Sequence, residues 1–229
     1  MKLAVCYPGD MSSVFMAAFQ SIVNIEAPVG YEVKWFRGVG WCQARRRTDA
    51  CEKALAWGAD LICQLDVDQV YEPDILKRLI ARHDEGYRVI AAMVPGRQFV
   101  KASKMQPFQK LAWRSTEDGK SFEPVTKADG EVVRCEFPTS ACVLFPAQVL
   151  RDMQRPWYSF GYDPKTWRIK TGEDGSFFVR LARMGVPAYV DTTLEVGHCH
   201  VFNIDESFPE RFADWAEDGA GEPEICRYD

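Results

Sequence analysis

Gln64-Leu65-Asp66-Val67-Asp68-Gln69 is the stretch that decides how this chain is read. Residues 61–65, L-I-C-Q-L, form a short, largely apolar run, the pattern of a buried strand. Asp66 and Asp68 follow at its carboxyl end. In extended backbone, residues two apart point the same way. The two carboxylates therefore face one point, where their repulsion needs an offsetting positive charge. A hard divalent cation supplies that charge, with oxygen ligands from the protein and from a diphosphate. The carboxyl edge of a parallel sheet is also where open α/β proteins bind ligands. A blander reading stands beside this one, because Asp is common in solvated turns after strands.

Working outward, the segments on both sides alternate between strand and helix patterns. Residues 2–6 read as a first strand and Pro8-Gly9-Asp10 as the turn after it. A helix is predicted over 11–25, with Ser12 or Ser13 near its start, and a second strand over 31–36. The next helix runs 43–57 and stops at Gly58, and the third strand covers 60–65. Beyond the aspartates, Pro73 opens a helix over 73–84, with Gly86 just past its end. Its apolar residues Ile75, Leu76, Leu79 and Ile80 have helical spacing. A fourth strand follows at 87–94. Near-continuous apolar strands separated by helices predict a mostly parallel sheet with right-handed crossovers.

After Pro95 the pattern loosens. Residues 96–140 are mixed, with short strands predicted over 110–114 and 131–137. Residues 141–145 form another apolar strand, followed by a helix at 146–153. An aromatic loop over 156–170 holds Trp157, Tyr158, Phe160, Tyr162 and Trp167. A helix at 173–184, ended by Gly185, and a strand at 188–190 complete the pattern. The tail from Asp205 is acidic and is expected to be only partly ordered.

Composition narrows the class. The chain has 229 residues, 47% of them hydrophobic, enough for one large domain or one and a half, with an ample core. A net charge of -5 gives no basic field for general nucleic-acid binding. The apolar run in M-K-L-A-V-C-Y-P reaches Pro8 too soon for a signal peptide. No apolar run approaches the length of a membrane span. Eight cysteines, none in a C-x-x-C pair, are expected to be reduced thiols of a cytoplasmic protein.

Three further groups of residues bear chemistry. Thr171-Gly172-Glu173-Asp174-Gly175 opens a helix, and acids suit the positive end of its dipole. A carboxylate held there can also accept a proton from an incoming hydroxyl. Val196-Gly197-His198-Cys199-His200 holds two of the three histidines, either as metal ligands or as structural residues near a strand end. Ala44-Arg45-Arg46-Arg47-Thr48-Asp49 places three arginines at a helix start, where they oppose the dipole unless an anion lies near. A phosphate suits an arginine fork, and a solvated face is the alternative.

Taken in order, these residues resemble the nucleotide-sugar-dependent glycosyltransferases of the GT-A fold, in particular the family 2-like set. The resemblance runs over residues 2–203, loosely over 96–133. It is carried by Arg47, by Asp66-Val67-Asp68, by Thr139-Ser140-Ala141-Cys142-Val143-Leu144-Phe145, by Arg155-Pro156-Trp157-Tyr158, by Glu173-Asp174 and by Val196-Gly197-His198. Thr48 stands where the family often has Asn.

The resemblance implies a Rossmann-like α/β fold, with a central mostly parallel sheet flanked by helices and a smaller mixed acceptor-side region. It implies one domain over 1–204, with a nucleotide-binding half at 1–95, an acceptor half at 96–204 and an acidic tail at 205–229. Tyr7, Pro8, Arg47, Asp66, Val67 and Asp68 would bind a UDP- or GDP-sugar. Asp66, Asp68 and His198 would hold Mn²⁺ or Mg²⁺. If transfer inverts the sugar carbon, Asp174, or failing that Glu173, would be the base toward a hydroxyl acceptor; a retaining enzyme would carry the same Asp-x-Asp and histidine. Trp157, Tyr158 and Ser140 would lie against that acceptor.

Three rival readings remain at this level. Residues 62–70 loosely fit the nucleophile strand of haloacid-dehalogenase-like phosphatases, although two strand-helix units precede them. A nucleotidyltransferase would need a glycine-rich loop after the first strand, and Tyr7-Pro8-Gly9-Asp10-Met11 has one glycine. A nucleotide- or glycan-binding module without turnover is the non-enzymatic reading.

Overall fold

A computed structural model of the chain describes residues 1–9, 15–99, 108–119 and 121–199, with only the backbone at 97–99 and 108–110. The predicted helix start at Ser12 or Ser13, His200, Cys226 and the acidic tail lie outside these residues. The first half is built from β1 (Lys2–Pro8), α1 (Met16–Val23), β2 (Glu32–Gly38), α2 (Gln43–Trp57), β3 (Leu61–Leu65), β4 (Gln69–Val70), α3 (Ile75–Asp84) and β5 (Ile90–Met93). Then come β6 (Pro95–Phe99), β7 (Phe108–Lys110), β8 (Trp113–Ser115), β9 (Phe122–Pro124), β10 (Val132–Cys135) and β11 (Cys142–Pro146). The chain continues through α4 (Ala147–Asp152), β12 (Gly161–Tyr162), β13 (Ile169–Thr171), α5 (Glu173–Arg183), β14 (Ala188–Glu195) and β15 (Gly197–His198).

Seven strands form the central sheet in the order β10-β14-β5-β11-β3-β1-β2. Its pairings are evenly divided, which corrects the expectation of a mostly parallel sheet. β2, β1 and β3 pair in parallel, as do β5 and β14. β11 pairs antiparallel with both β3 and β5, and β10 antiparallel with β14. The departure has a plain cause. The β11 run C-V-L-F is buried on both faces, so its apolar pattern carries no sign of direction.

Alternation along the strands divides the core into two layers. Ala4, Cys6, Ile62 and Phe145 face one side, against Ala50 and Ala54 of α2, Leu150 of α4 and Phe177 of α5. Leu3, Val5, Leu61, Cys63 and Leu65 face the other, against the Ile75, Leu76, Leu79 and Ile80 stripe of α3. Helix α2 ends as predicted, with Gly58 left-handed at φ 81° and its N–H donating to the Leu55 carbonyl. Gly38 meets a different demand. A Cβ there would sit 1.9 Å from the Arg46 carbonyl oxygen, so only glycine lets the end of β2 pass α2.

Two elements differ from the predicted spans. β14 extends to Glu195 rather than stopping near Val190. Its polar stretch Asp191-Thr192-Thr193 resembles a loop, yet Asp191 is buried and accepts from Arg82 Nε at 2.6 Å. The strand predicted over 110–114 is two pieces, β7 pairing with β6 and β8 with β9. Among the described residues, no helix is long and apolar enough to cross a membrane.

Candidate functional site

Asp66 leaves β3 with its N–H still bonded to the Ala141 carbonyl at 2.8 Å, which fixes where the carboxylate begins. Pro8 ends the neighbouring parallel strand, two residues beyond the Cys6–Gln64 pair of the register, so Tyr7 and Pro8 share the carboxyl edge with Asp66. The Pro8 side chain is buried, and the Tyr7 ring meets Trp35 edge-on at 6.2 Å. Val67 and Asp68 form the turn into β4.

Arg47 is the hub beneath this edge. It falls on the buried stripe of α2 with Ala44, Ala50, Cys51 and Ala54, and is only 3% exposed. Its Nη2 donates to Asp66 Oδ2 at 3.0 Å, and its Nη1 lies 2.9 Å from Oδ1 without hydrogen-bond alignment. Nη1 also donates to Gln64 Oε1 and to the Ser140 carbonyl, both at 3.2 Å. Nε reaches Glu173 Oε1 at 3.4 Å. Burial alone would lower the pKa of this guanidinium. Asp66 and then Glu173 outweigh burial and raise it, so Arg47 is a fixed cation. A buried arginine of this kind is held by carboxylates already in the protein. The structure therefore places Arg47 under the edge, where Asp66 and Glu173 are the anions beside it.

Gln64 extends the network downward. Its Nε2 donates to the Tyr158 hydroxyl at 2.7 Å and lies 3.2 Å from Cys51 Sγ. Tyr158 stacks on Phe177 with centroids 4.8 Å apart. Burial, with the Cys51 thiol nearby, pushes the Tyr158 phenol well above its usual range and keeps it neutral. Trp157 is buried too, its Nε1 donating to the Met153 carbonyl at 3.2 Å. Trp157 and Tyr158 were expected to stack on an acceptor. They are core residues instead, because α5 packs over them. Ser140 is fully buried, with its hydroxyl unpaired.

His198 reaches the edge from far along the chain. β15 pairs antiparallel with β4, setting His198 opposite Gln69, and the Cys199 N–H donates to the Asp68 carbonyl at 2.8 Å. His198 Nδ1 lies 2.7 Å from the Pro95 carbonyl oxygen. A carbonyl only accepts, so Nδ1 carries the hydrogen. Nε2 then faces Asp68 Oδ2 at 3.7 Å. The two side chains are thus brought side by side at the edge of the sheet.

A divalent cation fits in part. A histidine whose other nitrogen is fixed by a carbonyl is the usual arrangement of a metal-binding imidazole. Asp68 and His198 could supply two ligands. The Asp66 carboxylate, expected as a third, is held in the Arg47 fork. Among the described residues, no group of three or more His, Cys, Asp and Glu side chains is arranged to hold a metal. Mg²⁺-type sites commonly take one or two protein ligands and complete the shell with phosphate oxygens and water.

Glu173 and Asp174 occupy the first turn of α5, capped by Gly172. Glu173 is drawn toward Arg47. Asp174 accepts from the Gly175 N–H at 2.7 Å through Oδ1 and is only half-buried. Sequence reading missed Gln64, Gln69 and the Pro95 carbonyl. An amide inside the apolar run I-C-Q-L was a visible sign for Gln64. The helical spacing of Arg47 with three alanines was another, marking which arginine is buried. Gln69 is fully buried, with both side-chain polar atoms unpaired.

No protein-family model matches the chain, and no curated protein matches it. Among solved structures, the chain is similar to the crystal structure of A197 from STIV, at 18% identity and a TM-score of 0.55. The match covers 88% of this chain and 87% of that one. At this identity the likeness concerns the α/β fold alone.

Proposed function

We propose that this chain is a GT-A-type glycosyltransferase that moves a sugar from a UDP- or GDP-sugar to a hydroxyl acceptor. One observation carries the reading. Asp68 and the Nε2 face of His198 meet at the carboxyl edge of β3, and Arg47 ties the same edge to the α5 turn that bears Asp174. In this reading residues 1–95 bind the donor and residues 96–204 the acceptor. Tyr7, Pro8 and Val67 line the donor side. Asp68 and His198 would hold Mn²⁺ or Mg²⁺, which when bound neutralises charge on a diphosphate leaving group. Arg47 holds Asp66 and Glu173 in place, which leaves Asp174 to take the acceptor proton. As it does so, the acceptor oxygen bonds to the anomeric carbon and the bond to the diphosphate oxygen breaks.

Calorimetric titration of UDP and GDP, with Mn²⁺ and then with EDTA, tests the proposal. Binding is expected only with the cation. Equal affinity in EDTA would overturn it. The phosphatase reading is disfavoured, because its nucleophile would be Asp66, whose carboxylate lies in the Arg47 fork.

Asp174→Asn is expected to lower kcat by about 10²–10⁴-fold, the usual worth of a general base, while donor binding stays near wild type. If Asp174 only supports the helix, the variant loses about 1 kcal/mol of stability and keeps its rate. Melting temperature and kcat of this one variant separate the two cases.

A further inference from the structure

β12 and β13 form a two-stranded hairpin that runs directly into α5. Its root is closed against that helix. A Cβ at Gly161 would meet the Thr171 side chain at 3.3 Å, and one at Gly175 would meet Thr171 Cγ2 at 3.0 Å. Two residues past Thr171 lies Glu173, and then Asp174.

The hairpin loop is clasped from within. Asp163 Oδ1 accepts from the Lys165 and Thr166 N–H groups at 2.8 and 2.9 Å, and the Asp163 carbonyl accepts from the Trp167 N–H at 2.8 Å. These bonds hold Trp167 at φ 56°, a region that a bulky L-residue seldom adopts. The residue held this way is not packed in a core. Trp167 is 78% exposed, Ile169 59% and Tyr162 53%. Lys165, Arg168 and Lys170 are exposed beside them. In a chain of net charge -5, this hairpin is a local cationic and aromatic surface.

We propose that the β12–β13 hairpin is the acceptor platform and that the acceptor is an anionic carbohydrate. The proposal rests on the glycosyltransferase reading for the word acceptor, and on the hairpin alone for the ligand class. Indole and phenol faces suit the flat C–H faces of sugar rings. Lysine and arginine suit carboxylate, sulfate or phosphate groups carried on those rings. The fixed loop presents the indole without ordering cost at binding. The root then delivers an acceptor hydroxyl to the turn that bears Asp174.

The test uses the full chain and calorimetry with two probes, a uronic-acid-containing oligosaccharide and a neutral glucan oligosaccharide of equal length. The uronic-acid probe is expected to bind at least about tenfold tighter, and more weakly as salt rises. Trp167→Ala should weaken it by at least about tenfold, as loss of an aromatic anchor does. The combined Lys165→Ser, Arg168→Ser, Lys170→Ser variant changes exposed side chains alone and should remove the preference for the charged probe. Both variants should bind the nucleoside diphosphate with Mn²⁺ as wild type does. Equal binding of the two probes, or unchanged binding in both variants, overturns the proposal. Hairpin-dependent binding to anionic lipid vesicles, with none to the oligosaccharide, also overturns it. If wild type binds the uronic-acid probe through the hairpin but binds no nucleotide, the ligand class stands and the glycosyltransferase reading fails.

Discussion

Asp68→Ala is expected to abolish cation-dependent nucleoside diphosphate binding and to lower sugar transfer by at least about 10²–10³-fold, the range for losing one pre-placed electrostatic stabiliser. The geometry gives the reason. Asp68 is the carboxylate at the β3 edge that faces His198 Nε2 at 3.7 Å, while the Asp66 carboxylate is held by Arg47. Removing Asp68 leaves an imidazole as the remaining ligand of the pair. A neutral imidazole contributes a lone pair and no charge, which is weak for a hard cation. His198→Ala should therefore weaken Mn²⁺ binding more mildly than Asp68→Ala. Mn²⁺ titration followed by electron paramagnetic resonance reads both variants without turnover. Wild-type Mn²⁺ affinity in Asp68→Ala would move the site elsewhere.

Arg47→Met is expected to lower stability by about 3–5 kcal/mol, because it leaves carboxylates without their buried cation. For a chain of this size that corresponds to a fall in Tm of roughly 6–20 °C. The guanidinium contacts Asp66, Gln64, the Ser140 carbonyl and Glu173 from one planar group. Methionine fills similar volume and satisfies none of them. Arg47→Lys keeps the charge, but a single ammonium cannot reach acceptors on β3, on α5 and before β11 together, so an intermediate loss is expected. Adding Asp66→Asn to Arg47→Met should recover part of the loss by removing one unpaired charge. A thermal melt in EDTA measures all three variants. A loss below about 1 kcal/mol for Arg47→Met would make the contact no stronger than a surface pair.

The first half of the fold was legible in the sequence because its signals are local. Helix α3 shows its face in Ile75, Leu76, Leu79 and Ile80, and α2 ends at a glycine that can turn left-handed. β1 and β3 are apolar runs of strand length. The alternation of these elements places Tyr7, Pro8 and Asp66-Val67-Asp68 on one edge, and the parallel register of β1 with β3 agrees. Glu173 and Asp174 were legible in the same way, as acids in the first turn of an amphipathic helix.

Pairing partners were not legible, because they are chosen across long separations. No residue in Cys142–Pro146 says that β11 will insert antiparallel between β3 and β5, since a strand buried on both faces reads alike in both directions. The burial of Trp157 and Tyr158 depends on α5 folding over them, and aromatic residues look the same in a loop and in a core. Within that same loop the exposed aromatics are Tyr162 and Trp167, only a few positions on.

By itself, the sequence determined which residues could bear the chemistry: two aspartates after an apolar run, a histidine after Gly197, and acids opening a helix. Only the tertiary structure decided how those charges are divided. Arg47 lies on the buried stripe of α2, so packing carries it under the edge, where Asp66 and Glu173 close on it. The pairing of β15 with β4 brings His198 to Asp68 across more than half the chain. Side-chain type is local information. Which carboxylate meets Arg47 and which meets His198 depends on distances that only the assembled sheet and its helices fix.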